Sequence, residues 1–388
     1  MLKSLQLTNF LSFGPDSQRI ELRDLNVLIG PNGSGKSNFL LALKLLQSTT
    51  FGLGDYLNQN GLYSDWLFAR APDSSAPTIT ASLDITTFFP LDENAMFVFL
   101  ISLHNSFFKT GFSEYIYKFS GAENAIKLVA ESSFGKDRIF TGDESKEYVL
   151  DSSEWNRSIL SRYRTNFQNL DIYSVYVFFS KFQFFDEWIF GPRSPIRQPQ
   201  AIGIQDFSLL ADGSNLVAVL NKLSEYPAVQ RKIYDYIREL IPEFASLNTR
   251  VQPTSLDLFL VEGDHKFFAR RLSDGTLRFI CLVALLCNPN PPKLLCIEEP
   301  ELGLHPDMVV VVTKLIKEAS TRMQIIVTTH SVQVINLLSE IPESVMVCER
   351  DEAGTTIRRL REEEVSPWLE NYGLGDYWVR GGIGGNRW

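Results

Sequence analysis

Leu25-Asn26-Val27-Leu28-Ile29-Gly30-Pro31-Asn32-Gly33-Ser34-Gly35-Lys36-Ser37 decides the fold of this chain. An apolar run with strand character feeds a glycine loop ending in Lys-Ser. A helix-like run, Lys36 to Leu46, follows. Strand, glycine loop and helix in that order make a phosphate-binding loop. The glycines let backbone N–H groups curl around an anion, and the positive end of the helix dipole faces the same anion. Gly30, Pro31, Asn32, Gly33, Ser34, Gly35 and Asn38 line this cradle. Lys36 is expected to reach the β- and γ-phosphates, and the Ser37 hydroxyl to bind Mg²⁺. The competing reading is a glycine turn before an ordinary helix.

Outward from this stretch, bulk properties fit a large protein of two or three structural units: 388 residues, of which 44% are hydrophobic. No apolar run approaches the ~18 residues a membrane helix needs. The opening Met1-Leu2-Lys3-Ser4-Leu5-Gln6 alternates with strand period and lacks an apolar leader core. The four cysteines, Cys281, Cys287, Cys296 and Cys348, have no paired metal spacing and sit in apolar runs. Buried free thiols in a reducing cytoplasm are expected. The net charge of -9 argues against a surface that binds nucleic acid all over. It leaves room for one basic face, with candidates Arg193 and Arg197, Lys266 with Arg270 and Arg271, and Arg358-Arg359 with Arg361. Ordinary solvated charge is the alternative for each.

The architecture reads as α/β. Strands are expected at Lys3 to Thr8, Arg19 to Leu22 and Leu25 to Ile29. Ile79 to Thr87 alternates apolar and polar residues and predicts a half-buried antiparallel strand. Phe97 to Leu103 and Glu114 to Phe119 are further strands of the same layer, and Gly121 to Asn166 reads as hairpins and loops. The aromatic-rich residues 167 to 190 read as a core strand with its neighbours, against the alternative of a base-stacking platform. Gly191 to Pro199 reads as a loop. Helices are expected near Asn215 to Leu223 and from Pro227, where Val229, Ile233, Ile237 and Ile241 form one stripe. A strand at Leu256 to Val261 precedes a helix over Thr276 to Cys287. A buried strand over Lys293 to Ile297, a helix over Asp307 to Ser320 and a second buried strand over Gln324 to Thr328 then imply a right-handed crossover. The glycine-rich Gly381 to Asn386 reads as a mobile end. Three units are expected: 1–165 and 246–388 forming the two parts of one head, and 166–245 as an aromatic strand with a helical insert.

The apolar run Leu294 to Ile297 delivers Glu298 and Glu299 to a strand C-terminus, where ligands of parallel sheets bind. Glu298 is assigned to the metal. Glu299 is assigned to orienting and deprotonating the attacking water. His330 ends a second buried strand one crossover later and is expected to face the same phosphate; a structural histidine is the alternative.

These residues resemble the ABC-type ATPase superfamily. The likeness is nearest to its soluble branch of RecF and structural-maintenance-of-chromosomes proteins and the small bacterial ATPases labelled AAA15 or OLD-like, without a Toprim domain. Four motifs in order carry it: Gly30 to Ser37 (Walker A), Leu272-Ser273-Asp274-Gly275-Thr276 (signature), Leu294 to Glu299 (Walker B) and Thr328-Thr329-His330-Ser331 (the switch histidine). Glu299-Pro300-Glu301-Leu302-Gly303-Leu304-His305-Pro306 also resembles that branch's Walker B and D-loop extension. The resemblance implies a P-loop NTPase head with a mixed core sheet, an antiparallel β layer and a small helical insert. It implies ATP and Mg²⁺ as ligands. It also implies a homodimer, or a higher oligomer, in which Ser273 and Gly275 of one copy contact ATP held by the other. Two departures stand out. Glu298-Glu299 replaces the usual Asp-Glu, and Asp274 places a carboxylate where the usual signature has glycine. Asp274 must therefore point away or make a capping bond, or binding to the other copy's nucleotide is weakened. No Q-loop glutamine is assigned, Gln47 being too near the phosphate loop.

The expected activity is ATP hydrolysis gating a dimer in the cytoplasm, with no membrane. One expectation is action on DNA, in repair or anti-phage defence. A second is a regulatory subunit that holds and releases a protein effector such as a toxin or nuclease. A transporter ATPase ranks third, because it needs a membrane partner and a closer Leu-Ser-Gly-Gly-Gln.

Overall fold

In the computed structural model the chain is described except at residues 73, 86–95, 107–108, 121–124, 134, 142–143, 152–153, 166–168, 187, 202, 204–206, 370–371 and 386–388. Strands β1 (Leu2–Thr8), β2 (Ile20–Glu21) and β3 (Leu25–Ile29) precede helix α1 (Lys36–Ser48). Short helices α2 (Leu53–Asn60) and α3 (Tyr63–Trp66) lead to six strands: β4 (Thr78–Asp84), β5 (Met96–Ser106), β6 (Lys109–Ser120), β7 (Ala125–Ser133), β8 (Lys136–Thr141) and β9 (Glu144–Val149). Helices α4 (Ile159–Arg162) and α5 (Leu170–Ser180), strands β10 (Phe182–Phe185) and β11 (Gln200–Ala201), and helices α6 (Leu216–Ser224) and α7 (Pro227–Arg238) come next. Strands β12 (Phe244–Val251), β13 (Ser255–Glu262) and β14 (His265–Phe268) precede α8 (Asp274–Leu286), β15 (Leu294–Glu298), α9 (Pro306–Ala319), β16 (Gln324–Thr328) and α10 (Val332–Asn336). Strands β17 (Val345–Arg350) and β18 (Thr355–Arg359) and helices α11 (Glu362–Leu369) and α12 (Leu374–Val379) complete the order.

Three sheets result. The central one runs β10-β15-β16-β3-β17-β18, parallel except for β18. Its inner strands β15, β16, β3 and β17 are largely apolar and buried on both faces, as a doubly covered parallel sheet demands. The alternation sorts side chains by face. Val27, Ile29, Leu295, Ile297, Ile325 and Val327 join a core with α8 and α9. Leu28, Leu294, Cys296, Ile326 and Cys348 join a core with α1, α5 and the eight-stranded layer. That layer runs β2-β1-β4-β5-β6-β7-β8-β9, antiparallel throughout. A small third sheet centres on β13, paired with β11, β12 and β14. The sequence's two ends are stitched together, since Gln324 exchanges two hydrogen bonds with the backbone of Leu2, at 3.0 and 2.8 Å. All four cysteines are buried free thiols. Among the described residues, no helix is long and apolar enough to cross a membrane.

The structure corrects two sequence expectations. Residues 170–180 form a helix and not a strand; Ile172, Val175 and Phe179 fall three to four apart and are buried. The Val- and Phe-rich composition had suggested a strand, and only Phe182–Phe185 is one. The glycine segment 381–385 is docked rather than loose. Ile383 is buried, the Gly385 N–H donates to Glu349 Oε1 at 2.9 Å, and Trp378 Nε1 donates to the Gly385 carbonyl at 3.2 Å. Asn386, like Thr86 and Thr87 of the expected strand, lies outside the described residues.

The eight-stranded layer contains a buried polar knot. Arg162 grips Asp137 through two nitrogens, at 2.9 and 2.6 Å. Beside it the fully buried Glu114 accepts from Ser158 Oγ and from the Ile159 N–H at 2.7 Å. Burial pushes the Glu114 carboxyl up to about 7, against the opposing pull of these donors and of Arg162. The folded protein thus keeps a proton that the unfolded chain releases near 4.5. This group's contribution to stability is complete below that value and drains away as pH rises to about 7. Urea titrations at pH 5, 6 and 7 are expected to lose this downward slope in Glu114→Gln. An unchanged slope would contradict the assignment.

Candidate functional site

Strand β3 ends at Ile29, and the loop that follows is held from behind by β17 and β18. A Cβ on Gly30 would lie 2.3 Å from the Cys348 carbonyl, so only glycine fits there. Gly35 has φ +104, a left-handed geometry that favours glycine, and a Cβ there would strike Thr355 Oγ1 at 2.4 Å. Thr355 Oγ1 in turn donates to the Ser34 carbonyl (3.0 Å) and lies within hydrogen-bond distance of Ser12 Oγ (2.8 Å), while Asn38 Nδ2 donates to that Ser12 hydroxyl at 2.8 Å. Asn32 and Gly33 stay exposed at the loop tip. Ser34 Oγ is buried with no hydrogen-bond partner among the described residues.

Lys36 folds back over this loop. Its ammonium donates to the carbonyls of Gly30 (2.8 Å) and Pro31 (3.0 Å). Burial pulls its pKa below the ordinary lysine value, opposed in part by Glu299 and Glu298. Beside it, Ser37 Oγ donates to Glu298 Oε1 at 3.0 Å. A hydroxyl and a carboxylate meeting at the start of α1 suit a hard, oxygen-seeking cation such as Mg²⁺.

Glu298 pairs with Thr328 across β15 and β16, and Thr328 lies beside Leu28 of β3. Three adjacent parallel strands therefore end at one edge. Glu299 stands just past β15 with φ +42, sparsely populated for a residue with a side chain. Two bonds hold it there. Its N–H donates to the Thr328 carbonyl (2.9 Å), and its own carbonyl accepts from Arg278 Nη2 (2.7 Å). The Glu299 carboxylate lies 3.5 Å from His330 Nε2. Burial, and next the Lys36 charge, hold the His330 pKa below the usual imidazole range. His330 is therefore neutral near pH 7 and free to donate or accept. Lys36, Ser37, Glu298, Glu299 and His330 thus surround one site.

Ser273 and Gly275 sit elsewhere on the surface, at the start of α8. Ser273 caps that helix, accepting from the Thr276 N–H at 3.0 Å. A Cβ on Gly275 would approach the Gly303 carbonyl at 2.9 Å, so this turn packs directly on the loop after Glu299. Asp274 forms an ion pair with Arg197. No described hydrogen bond brings a glutamine to Ser37 or Glu298.

Sequence reasoning assigned no role to three contributors. Glu301 is buried, accepts from Thr329 Oγ1 and from the His330 N–H (3.3 Å), and burial raises its pKa. Arg278 lies over the paired rings of Trp188 and Phe190 and reaches Glu299. A detectable signal existed, because Arg278 is the one charge in the apolar run Leu277 to Cys287. Thr355 had no local signal, since its partners are more than 300 residues away.

A cavity of about 1290 Å³ lies at the other ends of these strands, near Met1, Lys44, Lys293 and Gln324. It shares no residue with the site.

A family model described as "AAA domain, putative AbiEii toxin, Type IV TA system" matches residues 25–336. The chain belongs to this family. It is 29% identical over 147 residues to the retron Ec83 probable ATPase of Escherichia coli, covering 34% of this chain and 27% of that one. It is 30% identical over 165 residues to the chromosome partition protein Smc of Mycobacterium tuberculosis, covering 40% of this chain and 13% of that one. The matched segments therefore span about a quarter or less of these curated relatives. Its fold matches the Smc head bound to the C-winged helix domain of ScpA with a TM-score of 0.59 at 17% identity, over 94% and 99% of the two chains. A second Smc head, bound to the C-terminal domain of ScpA derived from Pyrococcus furiosus, gives 0.55 at 14% identity, over 95% and 98%. The fold is thus that of an Smc head domain, and the family is one of P-loop ATPases.

Proposed function

We propose that the protein hydrolyses ATP and that ATP joins two copies into a dimer that opens on hydrolysis. The carrying observation is the convergence of Lys36, the Ser37–Glu298 contact and the Glu299–His330 contact at the ends of three neighbouring strands. Lys36 exchanges its loop carbonyls for phosphate oxygens. Ser37 and Glu298 would hold Mg²⁺, which would supply positive charge against the phosphates. Glu299 Oε1 takes a proton from water, whose oxygen attacks the γ-phosphorus in line. The bond to the β–γ bridging oxygen breaks, releasing ADP and phosphate. Neutral His330 donates to a γ-phosphate oxygen. Ser273 and the amides near Gly275 cap the γ-phosphate held by the other copy.

A DNA-linked role, in repair or anti-phage defence, is favoured by the outer face of the small sheet. Register puts Asn248, Arg250, Asp257, Phe259, Val261, Lys266 and Phe268 on that side, with Asp257 opposite Arg250. Lys266 lies over Phe259 and Arg270 over Phe268. Two cations over two rings in a chain of net charge -9 suit a phosphate backbone with bases to stack. The competing reading, a subunit that holds a protein effector, draws on that same acidic balance.

Two measurements test the two levels. Light scattering with Mg²⁺-ATP is expected to report a doubling of mass that ADP does not produce. Fluorescence titration of single-stranded DNA is expected to weaken steeply with salt. A monomer under all nucleotide conditions removes the dimer. Binding that is absent with and without ATP removes DNA and leaves the effector.

A further inference from the structure

Asp274 puts a negative charge at the helix end that, on the reading above, meets the other copy's γ-phosphate. The helix itself has a use for it, because an acidic residue in a first turn complements the dipole. The same charge opposes a phosphate. Arg197 resolves the conflict. Its side chain is buried, and every nitrogen is committed. Nε donates to the Phe190 carbonyl (2.9 Å). Nη1 donates to the carbonyls of Ala269 (3.2 Å) and Leu272 (2.6 Å), and Nη2 pairs with Asp274 Oδ1. One guanidinium thus ties the segment after β10 to both sides of the turn that ends in Ser273. Lysine could not do this, because only the planar fork presents donors in several fixed directions.

We propose that Arg197 is a positioning residue for the trans contact. It draws the Asp274 carboxylate aside, cancels its charge, and fixes the turn so that Ser273 and the first amides of α8 are presented to a phosphate. The inference rests on the ATP-dimer reading and goes beyond it by assigning a residue far from any motif. It also accounts for how a Leu-Ser-Asp-Gly-Thr sequence can serve where two glycines are usual.

The test measures ATP-driven dimerisation in the Glu299→Gln background, with ADP binding to the monomer and thermal unfolding as controls. Arg197→Met is expected to weaken the dimer at least tenfold at low salt and leave ADP affinity unchanged. High salt should recover much of the loss, because the exposed Asp274 charge is screened. Arg197→Met/Asp274→Asn should recover it at low salt. A purely structural role for Arg197 predicts neither rescue, and failure of both rescues overturns the proposal. Should Arg197→Met not fold, Arg197→Lys and Asp274→Asn decide. Lysine keeps the charge and loses carbonyl ties, so partial weakening is expected. Asp274→Asn removes the repelling group, so the dimer should hold or tighten, and a tenfold weakening overturns the inference. If Glu299→Gln itself never dimerises with ATP, the underlying reading falls and takes this inference with it. If that parent dimerises and Arg197→Met matches it, this inference alone is wrong.

Discussion

Glu299→Gln is expected to lower ATP turnover by ~10²–10⁴-fold, the usual worth of a positioned base, while leaving ATP binding intact and the dimer locked. The change is nearly isosteric. The backbone bonds from Arg278 and to Thr328 do not involve the altered carboxylate, so the strained φ of +42 persists. The amide can still meet His330, but it cannot accept the proton that water must lose. Single-turnover phosphate release and light scattering on one sample check both halves. Turnover within ~10-fold of the parent would move the base elsewhere, with Glu298 and the buried Glu301 next in line. Turnover lost without a locked dimer would retain the chemistry and discard the gating.

Lys36→Ala is expected to abolish useful nucleotide binding, raising the dissociation constant at least ~100-fold, or about 3 kcal/mol. A buried ammonium facing phosphate is a charge-assisted contact in a poorly hydrated site. It is also pre-placed, resting on the Gly30 and Pro31 carbonyls until a ligand arrives. Thermal unfolding reads the loss directly. The unliganded variant should melt near the parent. The parent alone should rise with Mg²⁺-ATP, because ligand at 100 times its dissociation constant adds ~2.7 kcal/mol. A variant that still gains the full shift would show that Lys36 does not meet phosphate.

How far the chain can be read without coordinates depended on whether the deciding contacts were local. The strand over Leu25–Ile29 and the strand over Gln324–Thr328 were legible to the residue, because continuous apolar runs bounded by polar tips have few other fates. The grouping of Lys36, Glu298, Glu299 and His330 was legible because parallel strands collect their loops at one edge. Strands β17 and β18 were missed, although they close the sheet around β3. Helix α5 was misassigned because Val, Tyr and Phe favour strands by composition, while their burial follows helical spacing. Arg197 and Thr355 were illegible as site residues. Their meaning lies in partners about 70 and more than 300 positions away, and no periodicity encodes that.

The position of β3 between β16 and β17 bears on synthesis. Its neighbours on both sides, and the Thr355 peg behind its loop, are translated some 300 residues after it. At ~5–20 residues per second, a ribosome needs roughly 15–60 s to supply them. Throughout that interval the emerging polypeptide carries its phosphate loop without a finished cradle. Until then a half-made chain lacks Glu298, His330 and Thr355, the residues that β15, β16 and β18 bring to that loop.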